Sequence, residues 1–456
     1  MIRSSSYPHL LRRCGTLPGL SLLLLLILAI TSLINPQMLK TVSGQPDLNF
    51  QKDRGRGMLR AIKDDLKKNY FDPNFKGVDL EARFNTADTK IKEADSVGQI
   101  FGIIAQVLFD LNDSHTFFLP PGRANRTEYG WQMQAFGDKV FVIAIKPGSD
   151  AEKKGLQPGD QVLSVNGFRP SREELWKLIY MFYTLRPQPG LRLVVQSPGG
   201  EQRQLDLMAN VKQGKLVKDL TGADIWDILR EAEAEDRFDR QRYVEVDNNV
   251  LIWKMPNFAV SEGEVDGMMG KARKRETLIL DLRGNPGGYV RTLEWFAGYF
   301  FDKEIKIADL KGRKEMKPQM SKPHGGRNFK GKLIVLVDSK SGSAAEIFAR
   351  IVQLEKRGVV IGDRTAGAVM QSRSFDYQMG TDTVIFYGVS VTNADVIMSD
   401  GKSLEGAGVT PDELLLPTAA DLASKLDPVL ARAATMAGIE LPADKAGTMF
   451  PIEWRK

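Results

Sequence analysis

The sequence predicts a multidomain α/β protein, with a helical N-terminal region, a β-rich middle unit and an α/β core. Three patterns carry this reading. From Val250 onward, short apolar strands alternate with amphipathic helices, an order that suggests an α/β core. Residues 130–210 are strand-rich and punctuated by Gly/Pro turns. Before them, apolar residues recur with the 3.6-residue period of helices. At 456 residues the chain is too long for one ordinary domain, so two or three are expected. An apolar share of 42% and a charged share of 26% fit a soluble globular protein.

Residues 1–39 read as a leader. Arg12-Arg13 precedes the run Leu22–Ile30, and no charge occurs from Cys14 to Leu39. A leucine run at the extreme N-terminus is an export signal, either cleaved or kept as a membrane anchor. No small-x-small cleavage site follows it, so both outcomes stay open. Cys14 precedes the apolar run and is not placed for lipidation after a signal. The expectation is an exported protein, periplasmic or extracellular, that meets the membrane through this segment.

Residues 40–55 are polar and read as a linker, opening a helical region over 40–125. In that region Met58, Leu59, Ile62 and Leu66 share one face. Val97, Ile100, Ile104, Val107, Leu108 and Leu111 line a second helix beginning near Ser96. The β-rich unit covers 126–212, with strands at Lys139–Ile145 and in Gln161–Gly167. A charged, helix-prone connector, 213–246, follows and reads as a solvated bridge. The core covers 247–440. Its expected strands are Val250–Met255, Thr277–Leu282, Leu333–Val337, Gly358–Ile361 and Val384–Val391. Its expected helices are Arg291–Phe301, Ala344–Glu355 and Ala419–Met436. Residues 441–456 read as a C-terminal tail.

The formal charge of +6 overstates the basicity, because Arg3, Arg12 and Arg13 supply three of the six and residues 1–36 hold no acid. The other basic residues are interspersed with acids, so no nucleic-acid partner is expected. The single cysteine excludes a disulfide framework and a cysteine-based metal cluster. No His, Cys, Asp or Glu spacing suggests a metal site. The turn Gly284-Asn-Pro-Gly-Gly288 lacks the Gly-Lys-Ser/Thr of a phosphate loop. No metal and no cofactor are therefore expected.

Catalytic candidates are few. Of three histidines, His9 lies in the leader and His324 in the Gly/Lys/Arg-rich stretch Ser321–Arg327. His115, in Asn112-Asp-Ser-His-Thr116, is the well-placed general base. Ser343 follows the apolar strand Leu333–Val337 and precedes a helix. A serine there has backbone N–H groups beside its hydroxyl, as a nucleophile with an oxyanion hole requires. The Ala344 N–H is one expected donor, and Gly287 or Gly288 of the turn Asp281–Gly288 is the other. The bland readings compete: Ser343 also fits a helix N-cap, and His115 also fits a structural histidine at a helix C-terminus. Ser339 and Ser341 are fallback nucleophiles. Taken together, these residues read as a serine hydrolase.

Two resemblances sharpen this. The stretch Lys139–Ile145, Pro147–Asp160 and Gln161–Gly167 resembles a PDZ domain. Such domains add a C-terminal peptide as a strand to a sheet edge, with a loop of N–H groups holding its carboxylate. Met133-Gln-Ala-Phe-Gly137 matches the carboxylate loop only loosely. Phe136, Gly137, Val140 and Val142 are the peptide-binding candidates this implies, at an open edge near Lys139–Ile145.

The chain also resembles peptidase family S41, the tail-specific or C-terminal-processing proteases, from residue 55 to residue 430 or so. The carrying motifs are Leu280-Asp-Leu-Arg-Gly-Asn-Pro-Gly-Gly288, Ser341-Gly-Ser-Ala-Ala-Glu-Ile347, Arg357–Gly367 and Glu405-Gly-Ala-Gly-Val-Thr-Pro-Asp412. The family resemblance implies a ClpP/crotonase-like core and a serine endopeptidase acting on proteins or peptides, C-terminal tails included. The best-known branch uses a Ser–Lys dyad, but Ala368 stands where that lysine would align. The tricorn-like branch uses serine, histidine and glutamate instead. Ser114-His115 and Glu405 match that branch, which implies a working set of Ser343, His115, Glu405 and Ser114. Asp113 competes with Glu405 as the acid and ranks second, since adjacent residues rarely point at each other. Two other readings remain open: a non-catalytic PDZ-containing scaffold on a protease-like core, and an esterase or amidase for small substrates. A homo-oligomer is also left open.

Overall fold

The computed structural model describes residues 47–123, 125–213, 240–247, 249–380 and 384–454. The leader, including Cys14 and His9, lies outside them, as do residues 214–239 of the expected connector. Gln51–Lys456 forms one compact unit, and Met1–Phe50 is a separate one.

The core is built on a six-stranded sheet. Its strand order is Glu413–Leu414, Val359–Gly362, Lys332–Val337, Thr277–Asp281, Val250–Lys254 and Arg242–Val246. All pairs are parallel except the last. The strands read as nearly continuous apolar runs because both faces are covered. Leu278, Leu280, Leu333, Val335 and Val337 pack on one face with the helices Glu262–Ala272, Val290–Ala297 and Ala344–Leu354. Ile279, Ile334, Leu336 and Ile361 pack on the other, against Pro428–Met436 and Ala443–Met449. In such sheets, sites form just beyond the carboxyl ends of the strands. Three turns lie there: 282–289 after Asp281, 338–343 after Val337, and 363–369 after Gly362.

A second sheet joins the N-terminal region to the core. Phe117–Leu119 pairs with the long strand Ile385–Met398, which also pairs with Lys306–Gly312 and Met370–Met379. The helical region is therefore continuous with the core, and the His115 turn is tied to a strand nearly 280 residues later.

Most of the expected elements are present, with five differences. Residues 48–55, read as linker, are helical: the helix Leu48–Asn69 continues one buried face through Gly55, Met58, Leu59, Ile62 and Leu66. A separate helix, Leu80–Glu93, begins at the N-cap Asp79, whose side chain accepts the Ala82 N–H. The single helix expected over Ala419–Met436 is two, Ala419–Ala423 and Pro428–Met436. Proline cannot continue a helix but opens one well, and Asp427 caps the second. Residues 441–456, read as a tail, include the helix Ala443–Met449, whose Ala446 is buried against the sheet. Within the former connector, Arg242–Val246 is a strand.

The middle unit is a five-stranded antiparallel sheet in the order Trp131–Phe136, Lys139–Ile145, Gln161–Val165, Gly190–Gln196 and Gln202–Met208. Trp131, Val142, Val165, Leu193, Val195 and Leu207 fill its interior. This corrects the expected peptide edge. Lys139–Ile145 is an inner strand, with Val140 and Val142 buried and neighbours on both sides, so no peptide can add there. The edge strand beside it is Trp131–Phe136, and Gln202–Met208 forms the opposite edge. Met133–Phe136 is strand rather than a carboxylate loop, and Gly137 is in the hairpin turn, with φ +55°.

Candidate active site

The nucleophile turn is assembled by hydrogen bonds among the three sheet-end turns. Ser343 caps the helix Ala344–Leu354 with φ +50° and ψ −117°, a costly conformation for a residue bearing a Cβ. Its N–H is fixed by the Ala368 carbonyl at 2.9 Å and by Glu346 Oε2 at 3.0 Å. Gly287, with φ +98°, passes directly behind it. A Cβ there would lie 2.6 Å from the Ser343 Cβ and 2.9 Å from the Ala344 nitrogen, so only glycine fits. Asn285, fully buried, holds the two turns together. Its carbonyl accepts the Gly342 N–H at 2.9 Å, and its side chain bonds Met255 O and the Gly287 N–H.

That last bond distinguishes the two glycines. The Gly287 N–H is already given to Asn285 Oδ1 at 2.9 Å. The role of Gly287 is steric. Beside Ser343, the N–H groups of Gly288 and Ala344 have no backbone or side-chain acceptor among the described residues.

Glu346 ties the nucleophile turn to its neighbour. It is fully buried and accepts four donors: Thr365 Oγ1 at 2.5 Å and the N–H groups of Gly367, Ala368 and Ser343 at 2.7, 2.9 and 3.0 Å. Burial pushes its pKa up to about 7, against the pull of these four bonds. The serine-x-x-glutamate spacing of a capping box was its sequence signal.

The histidine turn is held by residues far away in sequence. Ser114 Oγ donates to Glu405 Oε2 at 2.8 Å, and the Ser114 N–H donates to Oε1 at 2.9 Å. With its proton given to the carboxylate, Ser114 Oγ accepts from His115 Nδ1 at 2.8 Å. This assigns the proton to Nδ1 and leaves Nε2 as the acceptor. Glu405 is thus connected to His115 through Ser114 rather than directly. Its Oε2 also accepts the Val369 N–H at 2.8 Å. Burial raises the Glu405 pKa, opposed first by the bonds from Ser114 and then by that from Val369. Burial lowers the His115 pKa, opposed by the Asp113 charge.

The adjacent residues Ala368 and Val369 join both halves. Ala368 O holds Ser343, and Val369 N–H holds Glu405. The position that would carry a lysine therefore serves through its backbone. Among the described residues, no group of three or more His, Cys, Asp or Glu is arranged to hold a metal ion.

The middle unit meets the same turns. Gln134 Nε2 donates to Asp338 Oδ2 at 2.7 Å, and Ser339 Oγ donates to Ala135 O at 2.5 Å. Asp363 accepts the Gly137 N–H at 3.1 Å and pairs with Arg172 in a buried ion pair at 2.5 Å. Tyr183 OH makes a long contact of 3.4 Å with Trp131 O on the edge strand. Of the four expected peptide-binding residues, only Phe136 lies on that edge, and the Gly137 N–H is already occupied.

Fold and site together define a serine-peptidase type of scaffold. Residues 249–415 match the family model Peptidase family S41, and residues 122–173 match that of the PDZ domain. The core is thus similar to peptidase family S41, and the middle unit to PDZ domains. It is 26% identical over 359 residues to the tail-specific protease of Haemophilus influenzae, spanning 73% of this chain and 48% of that one, about half its length. It is 25% identical over 368 residues to the chloroplastic C-terminal processing peptidase of Tetradesmus obliquus, spanning 76% of this chain and 74% of that one. Among solved structures, mature CPAF complexed with lactacystin shares the fold, with a TM-score of 0.60, 15% identity, and coverage of 82% of this chain and 96% of that one.

Proposed function

We propose that this chain is an exported serine endopeptidase of the Ser–His–Glu type, acting on protein or peptide substrates. The Ser114 bridge between Glu405 and His115 is the observation that carries this reading. It presents an unprotonated Nε2, the atom a base needs to take the Ser343 proton. Ser343 attacks a peptide carbonyl, and the N–H groups of Gly288 and Ala344 receive the negative charge on its oxygen. His115 then returns the proton to the leaving amine, and water releases the acyl group by the same steps in reverse. Because burial lowers the His115 pKa, the base form is available below the usual histidine range, and the rate should rise with pH at values under 6.5. The PDZ domain supports peptides, C-terminal tails among them, over small esters. The composition of residues 1–39 supports export.

One experiment tests both parts. A fluorophosphonate probe applied to fractionated cells should label the wild-type chain in the envelope or secreted fraction and leave Ser343→Ala unlabelled. Equal labelling of Ser343→Ala contradicts the nucleophile, and a labelled band in cytosol alone contradicts export.

A further inference from the structure

We infer that Asp113 is a positioning residue for His115, a buried carboxylate that fixes the peptide of the histidine while Ser114 fixes its ring. The inference rests on the Ser–His–Glu reading above. Asp113 is 5% exposed. Its Oδ1 accepts the His115 N–H at 2.8 Å, the Thr116 N–H at 3.1 Å and the Thr392 hydroxyl at 2.7 Å. Its Oδ2 accepts the Thr116 hydroxyl at 3.1 Å. All four partners donate, so the site is built for an acceptor with several lone pairs.

The chain reaches this point by a sharp exit from a helix. Val97–Phe109 ends, Asn112 turns with φ +47°, and Asp113 folds back over the next three residues. Thr392 belongs to the strand Ile385–Met398, and its N–H returns to Thr116 Oγ1 at 3.0 Å. Both threonines are fully buried. Asp113 therefore anchors the His115 peptide to a strand that is itself paired on both sides. The Tyr70 hydroxyl, at the end of the first helix, is buried beside Asp113, and burial followed by the Asp113 charge raises its pKa. That charge also acts on His115, opposing the downward pull of burial on its pKa. The titratable groups around the histidine turn, among the described residues, are Asp113 on its own loop, Glu405 across from it, Tyr70, and Lys76, whose Nζ donates to the Asn112 carbonyl at 2.8 Å.

A ring held only through Nδ1 can still swing with its backbone. Two restraints, one on the peptide and one on the ring, leave Nε2 a single direction. Misplacement of a base by about 1 Å costs on the order of 100-fold in rate.

The test is Asp113→Asn, with His115→Ala alongside. Asp113→Asn should lower kcat by about 10- to 100-fold with KM within about twofold. Its acid limb should move to lower pH by about half a unit or more, because His115 loses a nearby anion that favours its charged form. A kcat that falls only with the folded fraction, or an unmoved acid limb, overturns the inference. If His115→Ala keeps the wild-type rate, it is the base assignment that fails, not the role of Asp113 alone. Should Asp113→Asn not fold, Thr392→Val removes one donor and leaves the carboxylate. A drop of a few-fold in kcat, restored by Thr392→Ser, upholds the inference, and equal rates for all three chains overturn it.

Discussion

The two halves of the site are held together in opposite ways. The nucleophile turn is fixed by groups from its own helix and the neighbouring sheet-end turns: Glu346, Asn285, Gly287 and Ala368. The histidine turn is fixed by partners from 276 to 291 residues away, Glu405 and Thr392. Three buried or half-buried carboxylates, Glu346, Glu405 and Asp113, each gather donors from backbone and hydroxyl groups. The difference lies in where those donors come from. A local knot forms with its helix and strand, whereas the long-range one exists only when both sheets are in place.

Breaking the local knot should have the largest effect. Glu346→Ala strands four donors, at about 1–3 kcal/mol for each one left unmet in the interior. Part of that is recovered by relaxation, so a loss of about 3 kcal/mol and near-complete loss of activity are expected. Urea unfolding and peptide hydrolysis measure both. An unchanged midpoint would show that the turn holds its shape without the carboxylate.

The PDZ contacts sharpen the same comparison, because the domain's edge strand bonds the nucleophile turn, whereas on the histidine side Trp176 and Tyr180 touch only the flanking residues Phe109 and Phe118. Tyr183→Phe combined with Ser339→Ala frees the Trp131 and Ala135 carbonyls on the edge strand. Affinity for a peptide with a free C-terminus should rise about two- to fivefold, while hydrolysis of a short blocked peptide changes less than twofold. Weaker tail binding in that variant would mean that the edge is not where tails dock.

The same contrast explains what the sequence showed. Ser343 was legible because strand, serine and helix follow one another within a short window, and the parallel strands announced themselves as apolar runs. The glycine pair was legible as a turn, but the choice between Gly287 and Gly288 was not, since it depends on where the Asn285 amide points. His115 stood out through rarity, and Glu405 and Ser114 came from the family resemblance. The link between Ser114 and Glu405 also came with that resemblance, but the bond geometry, from Glu405 through the Ser114 hydroxyl to His115, could not be read from the residues, because nothing in a sequence shows how a loop at 405 faces one at 114. The PDZ edge was misplaced by one strand for a related reason. Val140 and Val142 have the alternation of a strand, but only pairing reveals which strand is left at the edge.

The central claim, that Glu405 acts on His115 through Ser114, is tested most directly by a double-mutant cycle of Ser114→Ala and Glu405→Gln read as kcat/KM. The account predicts that each single variant loses about 100-fold and that the double variant loses little more, as expected for members of one unit. A Ser114→Ala chain with nearly wild-type activity beside an inactive Glu405→Gln chain would contradict it.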